Sequence, residues 1–490
     1  MRFMETETAR VNRLVEEGAG RGLTERAFFA REIVAWKHSE ERMEQVKGDA
    51  YYSGQHDILH RKRTAIGRDG QLLEVHNLPN RKVIDNQYAK MVDQKTNYLL
   101  GRPFTVNGDN KVYVERLKKR FNRGFQRLLK YMGEDALNGG TGWLFVYYNE
   151  RGELSFRRFP AYQILPFWKD DDHTELDAAA RLYQQEVWDG LTKTLVERVE
   201  LYKPDGMYRY ILDGSTLVPD VELGDYAPYI TVTTENQVEA YRWDRLPLIA
   251  FKYNKQATPL IRRVKSLQDG INLLLSDFQN NMEENARNTI LVLKNYDGQD
   301  LGEFRHNLAT YSAVKVREEG GVETLTIEVN AENYKAILEL FKKALIENAR
   351  GYDAKDDRLS GNPNQMNIQS MYSDIDLDAN GMEMEFQAAF EQLLWFIRQD
   401  MKTKGEGDFE GEEVTIVFDR DILINETEGI ANCAASAGVI SRETIVEQHP
   451  WTKDAQTELE RLTKEQDAEK GAYIGAFPSQ QQDREPGGDA

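Results

Sequence analysis

The sequence predicts a multidomain α+β protein, and three observations carry that prediction. From Thr258 to Met401 the apolar residues recur at spacings of three and four, the period of helices, and these helical stretches enclose a compact β-type insert. Between Trp143 and Tyr253 the pattern changes to short runs of β-branched and aromatic residues closed by Gly, Asn and Asp turns. The 490 residues, 40% hydrophobic, are enough for roughly two to four domains with a sizeable core.

Composition removes several function classes. No apolar run approaches the roughly 20 residues that span a bilayer. The stretch from Met1 to Glu7 lacks the apolar region of a secretory signal. One cysteine, Cys433, rules out an intrachain disulfide framework and fits a reducing compartment. The net charge of −19 argues against tight wrapping of DNA, which needs Lys and Arg on the phosphates. It leaves open a conduit that lets DNA slide, where repulsion serves better than attraction.

Taken in order, residues 5–47 read as two helices with a break near Gly18, Gly20 and Gly22. Asn80 to Leu100 is helical and closes with Gly101, Arg102 and Pro103, a glycine stop followed by proline. A further helix is expected from Asn110 to Leu137, ending at Asn138-Gly139-Gly140. Trp143 to Tyr148 and Leu154 to Arg158 flank Asn149-Glu150-Arg151-Gly152 as a hairpin. Ala179 to Trp188, Thr194 to Tyr202 and Met207 to Leu212 read as antiparallel strands, and Leu248 to Tyr253 as the last strand before the centre. Thr258 as N-cap and Pro259 at the first helical position open the central helix. Its seam is Leu260, Val264, Leu267, Ile271, Leu274, Phe278 and Met282; Tyr334, Leu338, Phe341 and Leu345 repeat it after the insert. Inside the insert, Thr289 to Leu293, Ala313 to Val316 and Glu323 to Val329 are strand-like, with a turn at Glu318-Glu319-Gly320-Gly321. Ala354 to Met371 is a polar loop, and Tyr372 to Met401 a long helix with Gly381 inviting a kink. Val414 to Phe418 is a strand; short helices follow at Asn425 to Ala437 and Ser441 to Gln448, a charged helix at Thr452 to Glu469, and a disordered tail from Gly471.

Motifs for catalysis or cofactor binding are incomplete. His56 and His60 stand four apart, but the zinc-protease pattern needs Glu where Asp57 stands and a third ligand. Asp170-Asp171-Asp172-His173 lies between predicted strands and reads as a solvated acidic turn. Gly139-Gly140-Thr141-Gly142 precedes a strand and lacks the lysine of a phosphate loop, so it reads as a helix stop. There is no Gly-x-Ser-x-Gly elbow, and Cys433 sits among small residues as a packed thiol. The residues thus assign no catalytic, cofactor or metal site.

Four segments carry a family resemblance. They are Tyr51 to Leu59 (YYSGQHDIL), Asn86 to Phe104 (NQYAKMVDQKTNYLLGRPF), Asp135 to Trp143 (DALNGGTGW) and Ile440 to Thr444 (ISRET). Over about Tyr51 to Glu465 the chain resembles the portal proteins of tailed bacteriophages, in the branch found in siphophages of Gram-positive hosts. The resemblance implies a ring of about twelve subunits at one capsid vertex, a closed cyclic assembly. Its channel passes double-stranded DNA during packaging and ejection. The implied partners are the terminase large subunit, head-completion or neck proteins, and capsid and scaffolding proteins. The implied location is the virion, with assembly in the host cytoplasm; no enzymatic activity, cofactor or membrane is implied.

In those terms residues 1–254 are the N-terminal part of a wing, 255–288 stem helix 1, 289–330 a β-rich clip and 331–353 stem helix 2. Residues 354–371 are a tunnel loop, 372–432 the long kinked helix with the C-terminal wing part, 433–470 a helical crown and 471–490 the disordered tail. Channel candidates are Lys355, Arg358, Asn362, Asn364 and Gln365 in the loop, with Asp374, Asp376, Asp378, Glu383 and Glu385 as acidic belts around Gly381. Phe304, Arg305, His306, Lys315 and Arg317 are clip candidates for docking the motor and neck. The departure is Ser360-Gly361, which leads into Asn362-Pro363-Asn364-Gln365-Met366 where many relatives have small aliphatic residues. A soluble α+β enzyme with an unrecognised active site, or another head–neck connector ring, are the alternatives.

Overall fold

The computed structural model describes residues 25–66, 71–76, 78–233, 238–285, 290–296, 300, 302, 306, 310, 316–325, 331–353, 365–420, 426–452 and 455–476. It is a mixed α+β fold. Two compact units are present: Met1–Tyr352 with Asp374–Asp421, and Asp353–Ser373 with Ile422–Ala490.

The first unit begins with α1 (Glu25–Lys37) and α2 (Glu40–Tyr52) where one helix is expected. Ser39 causes the break: its backbone is extended and its side chain accepts the Arg42 N–H, so it caps a new helix. The expected break at Gly18–Gly22 lies outside the described residues. After the pair β1 (Thr64–Ile66) and β2 (Leu72–Glu74) comes α3 (Gln87–Leu100), capped by Asn86 and closed at Gly101. Strand β3 (Thr105–Gly108) leads to α4 (Lys111–Arg120) and α5 (Arg123–Gly139), again two helices for one expected. Here Asn122 accepts the N–H groups of Gly124 and Phe125 at 2.8 and 3.2 Å. The apolar period runs on across this cap, which is why the break is invisible to periodicity. Helix α5 stops at Gly140 (φ +82), where an added Cβ would lie 1.8 Å from the Ala257 carbonyl oxygen. The glycine cluster is the helix stop that its order predicts.

Next come β4 (Thr141–Tyr148), β5 (Leu154–Phe159), β6 (Ile164–Trp168), β7 (Leu176–Asp189), β8 (Thr192–Lys203), β9 (Gly206–Asp213), β10 (Thr216–Pro219) and β11 (Tyr226–Ala227). The pair β12 (Ile230–Thr233) and β13 (Val238–Tyr241) precedes β14 (Leu248–Lys252). The larger sheet has the antiparallel order β10-β9-β8-β7-β6, with β11 also on β9; the smaller has the order β14-β4-β5. Strand alternation splits the larger sheet's side chains between two cores. Ala178, Ala180, Leu182, Val199 and Leu201 meet Phe28, Phe29, Ile33 and Trp36 of α1. Ala179 and Tyr202 turn the other way, toward Trp143, Phe159 and Leu248 of the smaller sheet.

The centre is α6 (Ile261–Asn285), the strand pair β15 (Ile290–Tyr296) and β16 (Val316–Leu325), α7 (Ala331–Asn348) and α8 (Gln365–Thr403). The turn expected at Glu318–Gly321 is instead part of β16. Register passes from Lys294↔Gly321 to Tyr296↔Val316, and Glu319 at φ 61 absorbs the extra residues as a bulge. Helix α8 has 39 residues and starts inside the segment expected as polar loop, so 365–371 are helical. It runs without interruption across Gly381, where an added Cβ would meet nothing within 4 Å. Strand β17 (Val414–Val417) pairs with β3.

The second unit holds α9 (Glu426–Ala435), α10 (Arg442–Gln448), α11 (Ala455–Ala476) and the first turns of α8. Ser441 caps α10, and the Cys433 thiol lies 3.9 Å from the Ile445 carbonyl oxygen. Helix α11 passes the expected tail boundary at Gly471; 477–490 lie outside the described residues. Among the described residues no helix is long and apolar enough to cross a membrane.

Candidate functional site

Helices α6 and α7 form an antiparallel pair. Gly270 lets them close: an added Cβ there would sit 2.6 Å from the Phe341 ring. Farther along, Phe278 meets Tyr334 at 5.2 Å between ring centres, and Asn281 donates to the Tyr334 hydroxyl at 3.1 Å.

A second face of α6 is polar and buried. Gln268, Asn272, Ser276 and Asn280 recur every fourth residue and are fully enclosed. The chain from Arg81 to Tyr88 runs along them as a strap. Arg81 N–H donates to Asn280 Oδ1 at 2.7 Å, Val83 N–H to Ser276 Oγ at 2.9 Å, Asp85 N–H to Asn272 Oδ1 at 3.1 Å, and Tyr88 N–H to Gln268 Oε1 at 2.9 Å. The match is geometric. Four helical residues rise about 6 Å, close to the roughly 6.6 Å covered by two extended residues. From Arg81 to Asp85 alternate strap N–H groups therefore meet successive rungs; the last step, to Tyr88, is three residues long because it enters α3. Gln268 Nε2 returns a bond to the Asp85 carbonyl at 2.8 Å, and Lys342 of α7 pairs with the Asp85 carboxylate at 2.6 Å. The strap ties both central helices together.

His56 ends this ladder. Asn272 Nδ2 donates to its Nδ1 at 2.8 Å, and its Nε2 donates to the Tyr51 carbonyl at 3.0 Å. Burial pushes its pKa down, and both ring nitrogens are committed within the chain. It precedes a short 3₁₀ turn, Asp57–His60, so His56 and His60 do not share an α-helical face, in line with the incomplete motif. Asp57 lies between Lys47 and Lys265; burial would raise its pKa, but the two ammonium groups prevail and hold it at about 2. In the other acidic motif, Asp170 accepts the Thr174 and Glu175 N–H groups, and His173 stacks on Trp168 at 5.1 Å. That is the structural turn expected of it.

Where α8 meets these helices, Asp378 is the node. Its carboxylate accepts from Lys95 Nζ at 2.8 Å, from the Tyr253 hydroxyl and from Arg263 at 3.1 Å, with Arg350 at 3.6 Å. Burial alone would raise the Asp378 pKa; the surrounding cations, Lys95 foremost, pull it below the usual carboxylate value. Burial lowers the Lys95 pKa in turn. One carboxylate thus joins α3, the strand leading to α6, the start of α6, the end of α7 and α8. Gly351 admits this approach, since an added Cβ would stand 2.7 Å from Met91 Sδ.

Asp378 is therefore a correction to the acidic belt. It is buried among cations of its own chain and is not a carboxylate open to a channel. Asp376 and Glu383 both pair with Arg420, and Asp376 also accepts from Tyr98. Asp374 is exposed and Glu385 half-buried. Gln365 is the first residue of α8, and its N–H donates to Glu428 at 2.9 Å. Arg317 is exposed near the start of β16, and His306 is exposed. Lys355, Arg358, Asn362, Asn364, Phe304, Arg305 and Lys315 lie outside the described residues. The polar rungs of α6 were missed because the helix was read by its apolar seam. A Gln-Asn-Ser-Asn series at intervals of four was the signal for them.

The comparisons with known proteins agree with one another. The family described as phage portal protein, SPP1 Gp6-like, matches residues 33–472. The portal protein of Bacillus phage SPP1 is 27% identical over 463 residues, covering 94% of this chain and 90% of the relative. The portal protein of Clostridium phage phiCD119 is 26% identical over 441 residues, covering 87% and 93%. The chain belongs to the SPP1 Gp6-like family of phage portal proteins.

Proposed function

We propose that this chain is the repeating subunit of a ring, about twelve copies in closed cyclic symmetry, at one vertex of a phage capsid. The ring is a channel for double-stranded DNA in packaging and ejection, and a docking platform rather than an enzyme. The observation that carries the reading is the family match across residues 33–472, with both portal relatives aligned over nearly their whole length. Its partners are the terminase large subunit, head-completion or neck proteins, and capsid and scaffolding proteins. It works in the virion after assembly in the host cytoplasm.

In this reading α6 and α7 are the stem, and 289–330 the clip, with Phe304, Arg305, His306, Lys315 and Arg317 toward the motor and neck. The tunnel loop shortens to 354–364, since α8 starts at Gln365. Lys355 and Arg358 give weak, reversible phosphate contacts there, with Asn362 and Asn364 beside them. Asp374 and Glu385 make no ion pair among the described residues, and they repel DNA only where a neighbouring subunit leaves them uncovered. Asp376 and Glu383 contribute less because Arg420 offsets them. Repeated around a ring, such charges set up a field that keeps a polyanion from sticking. The rest of 1–254 and 372–432 forms the wing, and 433–470 the crown.

The test is packaging of DNA into heads assembled with Lys355→Ala/Arg358→Ala, scored as nuclease-protected DNA. Slower or stalled packaging with normal head assembly is expected. Wild-type packaging by that variant would remove the loop cations from the mechanism.

A further inference from the structure

The net charge is −19, yet the segment from Lys111 to Lys130 carries eight Lys or Arg residues and one acid, Glu115. Arg116 and Arg120 pair with Glu406 and Asp400, and Lys130 donates to Asn97. Lys111, Lys119, Arg123 and Arg127 are exposed and make no ion pair among the described residues. Arg123 and Arg127, one turn apart, form a basic ridge on α5, with Lys111 and Lys119 on the helix before it.

Helix α8 leaves a different face open. Leu377 and Met384 are 65% and 71% exposed, and Gly381 and Ala388 between and beyond them are also exposed. The spacing of four, three and four is that of a helix-packing seam. The acids Asp374, Glu385 and Glu391 flank it, whereas Asp376 and Glu383 are already paired with Arg420.

These two faces point in opposite directions. Phe125 of α5 packs against Phe390 of α8 at 6.1 Å, and a Cβ on Gly133 would lie 3.6 Å from Met382 Cε. So α5 and α8 lie with their apolar faces together. At 100° per residue, Arg123 and Arg127 lie on the side of α5 away from Phe125, and Leu377 and Met384 on the side of α8 away from Met382. One layer thus presents a basic ridge on one side and an acidic, apolar seam on the other.

We infer that the ridge of one subunit seats on the α8 seam of a second copy of this chain. Two unlike, complementary faces on opposite sides make a head-to-tail contact, the kind that closes into a ring. The inference rests on the ring reading and names the surfaces that build it. A nucleic acid on the ridge would leave the apolar seam uncovered; a second copy covers both faces at once.

The experiment uses the full chain and two variants at exposed positions, Arg123→Glu/Arg127→Glu and Leu377→Arg/Met384→Arg. Sedimentation velocity and native mass spectrometry read the oligomer. Wild type is expected to give rings, and each variant alone at least a tenfold smaller ring fraction. The two variants mixed are expected to give one-to-one complexes, because an intact seam then meets an intact ridge. Rings formed by either variant alone would overturn the inference, as would a mixture that stays monomeric. A ridge variant that keeps its ring but loses duplex-DNA binding in a gel shift would overturn it as well. A wild type that forms no ring removes the ring reading too; wild-type and variant rings together remove only this interface.

Discussion

Helices α6 and α8 each bury a long face, by opposite means. Helix α6 presents Gln268, Asn272, Ser276 and Asn280 to backbone N–H groups of the strap. Helix α8 presents Phe386 and Phe390 to a cluster of rings from Phe104, Phe121, Phe251 and Phe418. The apolar face supplies adhesion in proportion to area and is tolerant of small shifts. The polar ladder admits one register, because a slip of the strap strands buried donors. Register on α8 comes instead from one ionic node, Asp378. The lesson is that the central helix is held by position and the long helix by packing.

Breaking the adhesive face should cost most. Phe390→Ala removes a buried ring 5.2 Å from Phe104 and 5.8 Å from Phe251, and a loss of about 3–5 kcal/mol is expected in chemical denaturation. Next is the node. Asp378→Ala leaves Lys95 buried without its partner, for a loss of about 3 kcal/mol, and Lys95→Met added to it should recover part. A double mutant no better than the single would mean that Arg263 and Arg350, not Lys95, dominate the node.

The ladder comes third. Asn272→Ala strands the Asp85 N–H and one His56 nitrogen, and about 1–3 kcal/mol should be lost. Amide exchange distinguishes the two modes of burial: it should rise at Val83 and Asp85 in the ladder variant and stay low there in Phe390→Ala. Equal protection in both would remove the contrast between the helices. Gly381→Ala is expected to stabilise α8 by about 1 kcal/mol, since nothing crowds the new methyl group. If packaging falls while stability rises and ring formation is kept, the helix needs to bend there; unchanged packaging would retire the kink.

The smallest effect is in acid. The Asp57 pKa drops from 3.8 to about 2 on folding, because Lys265 and Lys47 favour the charged form. A lowered carboxylate pKa adds stability above the unfolded value, lost as pH falls through the folded one. Asp57→Asn should therefore lower stability modestly at neutral pH, where the charged pair with Lys265 and Lys47 is lost, and flatten the acid dependence between about pH 4 and 2, so that variant and wild type converge in acid. A wild-type acid profile in that variant would place the proton uptake elsewhere.

Much of the fold was legible where local chemistry is strong. The Asn149–Gly152 hairpin, the stop at Gly140 and the seam beginning at Leu260 all follow from turn chemistry and period. The breaks at Ser39 and Asn122 escaped because the apolar phase continues through them, and only the side-chain caps reveal the new helices. The strap escaped for a different reason. Nothing local in Arg81 to Tyr88 says that its partners lie nearly 200 residues later on α6. Among the acidic candidates, sequence could group Asp374, Asp376, Asp378, Glu383 and Glu385 on one helix. It could not sort the exposed from the paired, because Arg420 and Lys95 come from distant parts of the chain.

Whether this chain closes into a ring around a channel is read most plainly by electron microscopy of the purified protein. Particles with cyclic symmetry, an axial hole, and α6 and α7 running side by side around it are expected. Monomers or small oligomers without a hole, at every concentration up to that of head assembly, would contradict it.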